Sequence, residues 1–227
     1  MRITRKRNPP LTNYQMLGTR LAETRNSQYL GIYIQNDLRW NKQVEHAKTK
    51  AFRVLNFLRR NFHHTSAPIK EKLYTTLVRP HLDYASSAWD PHTAKNIKDL
   101  EKVQNAAARF VMNTYGKDTS VSALKAKLHW PPLQERRHIG RLSCFYKLLN
   151  GHLDINYDSL VIPKPNRSGR GHNRQFQIDQ TRTDAYSNSF FKRTIVDWNK
   201  LPQAVIDMQT VASFKQKLSD DYINLQN

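Results

Sequence analysis

Residues 41–62 read NKQVEHAKTKAFRVLNFLRRNF, and their spacing decides the fold class. Val44, Ala47, Ala51, Val54, Leu55, Leu58 and Phe62 recur at three and four residues. At about 100° per residue they gather on one helical face, with Asn41 as the expected N-cap. Lys42, His46, Lys50, Arg53 and Arg60 fall within roughly 80° of one another on the opposite face. Glu45 is the only acid in the stretch. A solvated surface helix usually mixes signs, whereas a helix that tracks a phosphate backbone packs on one side and presents cations on the other.

The period changes on either side of this helix. Upstream, Leu30, Ile32 and Ile34 alternate with Gly31 and Tyr33, the period-2 pattern of a half-buried strand. Asn13 to Arg20 is the expected hairpin neighbour, and a sheet this small is marginal alone. Downstream, a helix begins near Ser66 with Pro68 in its first turn, and Pro80 should bend or end it. A long helix is expected over 93–112, with Leu100, Val103, Ala107 and Val111 on one face. Thr119 or Ser120 can cap a short helix. Pro131 and Pro132 open a longer one that Gly151 closes. Residues 162–183 hold five Lys/Arg and few large apolar side chains, so a mobile basic loop is expected there. Helical spacing returns over 186–200 and 210–224, with Phe190, Phe191, Ile195, Trp198, Phe214, Leu218 and Tyr222 as core candidates. The chain therefore reads as mainly α, with a small N-terminal β-hairpin or sheet remnant, a first helical bundle and a second helical domain.

The formal net charge is +19 in 227 residues, and it is unevenly placed. Residues 1–62 carry thirteen Lys/Arg against three acids, residues 63–183 nineteen against ten, and residues 184–227 five against five. A field of one sign over most of the chain calls for an anionic partner. Nucleic acid comes first, because phosphate contacts release counterions and supply sequence-independent affinity. A membrane surface comes second, and it lacks a helix that joins its cationic face to exposed aromatic anchors. No apolar run approaches the roughly 20 residues of a membrane span.

Seven glycines argue against a Gly-rich sandwich or phosphate loop. One cysteine, Cys144, excludes an internal disulfide and a multi-thiolate zinc site, and its apolar neighbours read it as a core thiol. His63 and His64 point about 100° apart on a helix and read as a surface pair rather than metal ligands. Asp220 and Asp221 form the only adjacent carboxylate pair, and they sit on an amphipathic C-terminal stretch. No catalytic residue, metal site or cofactor is assigned. Lys164, Arg167, Arg170 and Arg174 in the basic loop join the helix cations as candidate nucleic-acid contacts.

Three ordered segments carry a family resemblance. They are Gln28–Ile34 with Leu38–Trp40, then Leu77 to Pro91, then Ser189–Phe191 followed by Ile195 to Pro202 and Val211 to Lys215. In this order the chain resembles the C-terminal half of the reverse transcriptase of non-LTR (LINE-type) retrotransposons, nearest the jockey and chicken-repeat groups. The resemblance implies palm-end strands over 1–38, with Tyr29, Leu30 and Gly31 in the primer-grip region. It implies a helical thumb over 39–115 and a C-terminal domain over 116–227, with Trp198 and Phe214 in a recurring motif. It implies RNA and an RNA–DNA template–primer duplex as partners, together with the palm and fingers of a parent polymerase, in an intracellular ribonucleoprotein, nuclear or cytoplasmic. The Tyr-x-Asp-Asp hairpin of that family is not in this chain and is expected ahead of residue 1. Mg²⁺ is expected only for the full-length polymerase, and the fragment is expected to bind without doing chemistry. The alternative is a non-catalytic basic helical protein, such as a host-retained transposon relic, that binds nucleic acid or another protein.

Overall fold

A computed structural model describes residues 1–4, 8, 12–116, 118–165 and 171–224, and the chain is mainly α. It divides into two compact units. The first holds residues 1–85 and 91–130; the second holds 86–90 and 131–227.

The first unit opens with two separate hairpins. Strands β1 (Gln15–Met16) and β2 (Thr19–Arg20) pair with each other, as do β3 (Asn26–Tyr29) and β4 (Ile32–Gln35), both antiparallel. Each turn is a Leu-Gly pair with positive φ at both residues: 50° and 75° at Leu17–Gly18, 46° and 80° at Leu30–Gly31. That pair of conformations gives two-residue hairpins a twist that matches their strands. It also corrects the strand expected through Leu30, which instead projects from the turn. The β3–β4 hairpin is fastened to α1 (Asn41–Asn61). The Tyr33 amide donates to buried Gln43 Oε1 at 2.9 Å, and the Lys42 amide donates to Gln35 Oε1 at 2.8 Å. Gln35 thus meets an orphan N–H of the first helical turn. Asn41, expected to cap, lies inside the helix, and its Oδ1 accepts from Asn96 Nδ2 at 2.9 Å.

Helix α2 (Ala67–Leu73) widens into a π turn at Tyr74–Val78, and Pro80 then opens α3 (Pro80–Asp83), where its missing N–H costs little. Helix α5 (Ala94–Val111) lies along α1 and buries Leu100, Val103, Ala107 and Val111. Helix α6 (Val121–Lys127) is capped by Ser120. Trp130 ends the unit, stacked on Tyr74 at 4.4 Å and donating to Glu71 Oε1 at 3.0 Å. Tyr74 in turn donates to Gln104 Oε1 at 3.0 Å, so the aromatic stack has its polar atoms satisfied.

The second unit joins α4 (Ser86–Trp89) to α7 (Leu133–Leu149), α8 (Asp184–Ser187), α9 (Phe190–Trp198), α10 (Gln203–Ile206) and α11 (Val211–Asn224). Its apolar centre is aromatic. Fully buried Trp198 meets Phe145 edge-on at 5.2 Å, and Tyr146 stacks on Phe214 at 4.4 Å. The charge-neutral C-terminal stretch is thus a packing element. Beside that core lies a buried ionic cluster. Asp90 Oδ1 accepts from Arg137 Nε at 3.0 Å, and its Oδ2 lies at ion-pair distance from Arg193 Nη1, 3.1 Å, and Arg141 Nε, 3.4 Å. Arg141 also reaches Asp197 at 2.7 Å and Thr194 at 3.2 Å.

The described part of the basic loop is tied down, which corrects the expectation of mobility there. Pro163 bridges Phe176, and His172 and Phe176 are buried. Asn199 clamps Phe176 from both sides, accepting from its amide at 3.0 Å and donating to its carbonyl at 2.7 Å. Few apolar residues suffice because a side-chain amide and the Trp198 indole, which donates to the Arg174 carbonyl at 2.9 Å, supply the hydrogen bonds of a sheet.

Candidate nucleic-acid interface

Helix α1 owes its two faces to the three-and-four spacing of its apolar residues. Val44, Ala47, Ala51, Leu55 and Leu58 are buried, and Lys42, Lys50, Arg53 and Arg60 are exposed. The cations of this helix fall into two kinds. Lys48 lies 3.8 Å from Asp99, and Arg59 sits over the Tyr115 ring at 5.3 Å. Among the described residues, the side chains of Lys42, Lys50, Arg53 and Arg60 have no ion pair and no hydrogen bond. The face holds its charge uncompensated.

At the N-terminal end of this face lies a cleft of about 360 Å³. Leu30 and Gly31 come from the β3–β4 turn, and Gln43, His46, Ala47 and Lys50 from α1. Pro80 and His81 come from α3, and Tyr84 from just beyond it. Tyr84 holds the turn in place, its hydroxyl donating to the Leu30 carbonyl at 3.1 Å. Gly31 suits the turn because its φ is +80°, and a Cβ there would meet the Tyr84 ring at 3.4 Å. His46 meets the Tyr33 ring edge-on at 4.8 Å, and its buried Nε2 has no hydrogen-bond partner among the described residues. Burial first, then Lys50, Lys42, Arg53 and His81, push the His46 imidazole below its ordinary value. Burial and then Lys50 do the same to His81. Both rings are therefore mainly neutral at neutral pH.

The structure brings Leu30 and Gly31 together with His46 and Lys50, while Lys42, Arg53 and Arg60 continue along the helix. Tyr29 is exposed and does not line the cleft. His81 and Tyr84 are the residues that sequence reasoning missed. Nothing in their local spacing marks them, because the contact that places Tyr84 spans 54 residues. Lys164 is exposed, and it lies with Arg174 in the second unit. The Arg174 guanidinium donates to Asn150 Oδ1 at 3.2 Å and to the Leu149 carbonyl at 3.3 Å, closing the C-terminal end of α7. Arg174 is half-buried, and its guanidinium is engaged with these two neutral acceptors. Arg167 and Arg170 lie outside the described residues.

Among the described residues, no group of three or more His, Cys, Asp or Glu is placed to hold a metal ion. His63 and His64 are exposed, with ring centroids 3.8 Å apart. Cys144 is half-buried rather than fully in the core, and burial pushes its thiol up, away from the reactive thiolate. Asp220 accepts from Gln216, and Asp221 lies 3.8 Å from Lys217. No described helix is long and apolar enough to cross a membrane.

Comparison with known proteins adds little that is functional. A Caenorhabditis elegans protein named "Uncharacterized protein B0403.1" is 27% identical over 123 residues. The aligned region covers 54% of this chain and 62% of that protein, so the chain spans less than two thirds of its relative's length. No family model matches the chain, and no solved structure does.

Proposed function

We propose that this chain binds RNA or an RNA–DNA duplex without sequence preference, as the thumb and C-terminal end of a non-LTR retrotransposon reverse transcriptase. One observation carries the reading: four exposed cations on one face of α1 have no anionic partner among the described residues, while Lys48 and Arg59 on the same helix are engaged. Uncompensated cations along a rigid helix suit a regularly spaced polyanion better than a mixed protein surface. The ordered resemblance of the sequence segments supplies the family. Strand synthesis is not part of the proposal, since the family's paired aspartates have no counterpart in this chain.

The test is binding of a labelled RNA–DNA hybrid at several salt concentrations. Each neutralised phosphate contributes about −0.9 to the slope of log affinity against log salt on a B-form duplex, so losing three contacts should flatten the slope by ~2.7. The variant Lys42→Glu, Lys50→Glu, Arg53→Glu should show this flattening with unchanged helical circular dichroism. A salt-independent affinity, or a triple variant that binds like the wild type, defeats the proposal. Mg²⁺-dependent primer extension by the purified chain would defeat its non-catalytic half.

A further inference from the structure

The cleft beside α1 contains an imbalance that the helix face alone does not. Its ionisable lining residues are His46, Lys50, His81 and Tyr84, and no carboxylate lines it. Tyr84 is engaged with the Leu30 carbonyl. The groups acting on His46 are Lys42, Lys50 and Arg53 on its own helix, His81 from α3, and the Tyr33 ring from β4. His81 faces Lys50 and His46. The nearest acid on α3 is Asp83, which lies 3.9 Å from Arg79. Each imidazole is thus held neutral by burial and by neighbouring cations. His46 Nε2 is buried with nothing to bond among the described residues. An anion seated against Lys50 would supply the missing counter-charge to both rings at once. At about 360 Å³ the cleft lies at the small end of ligand pockets, a size for one nucleotide unit and not for a duplex.

We propose that this cleft seats one phosphodiester unit of the bound strand, and that seating it drives protonation of His46 and His81, making nucleic-acid binding proton-coupled. The proposal rests on the nucleic-acid reading above. Its sign follows from linkage. The bound anion raises both imidazoles, so affinity is gained as pH falls through their bound values and levels off below their free ones. A rise of one unit at one histidine is worth about tenfold in affinity.

The experiment measures binding of a labelled RNA–DNA hybrid to the full chain from pH 7.5 to 5.5 at constant ionic strength. The wild type should tighten by ~10-fold or more across that range. His46→Gln with His81→Gln should tighten by no more than ~3-fold across the same range, whatever its affinity at pH 7.5. In parallel, NMR titration of the wild-type histidines should show two imidazoles that titrate higher when the hybrid is bound, a readout that needs no variant to fold. A flat wild-type profile, an unaltered slope in the double variant, or imidazoles unmoved by the hybrid each overturns proton coupling. Salt-sensitive binding with a flat pH profile removes this inference and leaves the nucleic-acid reading standing. No binding at any pH removes both.

Discussion

Asp90 should hold the second unit together to a degree that its single side chain does not suggest. Its carboxylate is 4% exposed and faces three guanidinium groups at 3.0, 3.1 and 3.4 Å. Arg137 and Arg141 are themselves almost fully buried, and the Arg137 terminal nitrogens have no hydrogen-bond partner among the described residues. The cluster depends on the carboxylate to offset charges that water cannot reach. Removing one member of a buried pair typically costs about 3–5 kcal/mol, mostly because the remaining charge is left uncompensated. Asp90→Ala takes the nearest carboxylate from three cations, leaving Asp197 in contact with Arg141 and acting on Arg193, so we expect a loss of about 4 kcal/mol. With a urea m-value near 2 kcal/mol per molar, the midpoint of the second unit should fall by about 2 M. Urea denaturation followed by circular dichroism measures the loss, and hydrogen exchange at α7 and α9 assigns it to this unit. Asp154→Ala, at an exposed loop carboxylate, is the control and should stay within about 0.5 kcal/mol of the wild type. An Asp90→Ala protein whose midpoint and exchange match those of the control refutes the reasoning: the three arginines would then be stabilised by something other than this carboxylate.

Two further substitutions test other parts of the fold. Trp198→Ala should cost about 3–5 kcal/mol by emptying the aromatic core. It also strips the Arg174 carbonyl of its donor, so protease cleavage within 171–176 should accelerate; a cleavage rate equal to the wild type's would show that the indole does not anchor that segment. Gly31→Ala should lower stability by about 1 kcal/mol, since it combines a left-handed φ with a methyl 3.4 Å from Tyr84. The thermal midpoint checks this, and an unchanged midpoint would mean that the turn relaxes freely.

The helices were legible because their signal is local. The three-and-four spacing of 41–62 marked Val44, Ala47, Ala51, Val54, Leu55, Leu58 and Phe62, of which Val54 and Phe62 are half-buried and the other five buried. The same rule found the buried face of α5 and, in the second unit, Ile195, Trp198, Phe214 and Leu218, while Phe190 and Phe191 are half-buried and Phe145 and Tyr146 of the aromatic core were not marked. What escaped depends on residues far apart in the chain. Arg137 and Arg141 sit four apart on α7, where such spacing ordinarily describes a solvated stripe. Their burial follows from Asp90, 47 residues before Arg137. Leu30 looked like a strand residue because alternation records which residues are apolar and not where φ turns positive. The cleft was half legible: Leu30, Gly31, His46 and Lys50 were named from the sequence, but His81 and Tyr84 enter it through the turn at Pro80.

The net charge of +19 is therefore a poor measure of the binding surface. Arg137, Arg141 and Arg193 belong to the Asp90 cluster, and Arg174 closes the end of α7. Lys48 and Arg59 are engaged on the flanks of α1. Arg137, Arg141, Arg193 and Lys48 have carboxylates beside them, which offset part of their field, while Arg59 and Arg174 keep their charge and are held by a ring and by neutral acceptors. Lys42, Lys50, Arg53 and Arg60 are different in kind, since the fold places them together without answering them. A cation's contribution to long-range attraction depends on whether its field is compensated within a Debye length, about 8–10 Å at ordinary ionic strength. The four cations on the exposed face of α1 have no ion pair among the described residues, whereas Arg137, Arg141 and Arg193 lie against Asp90.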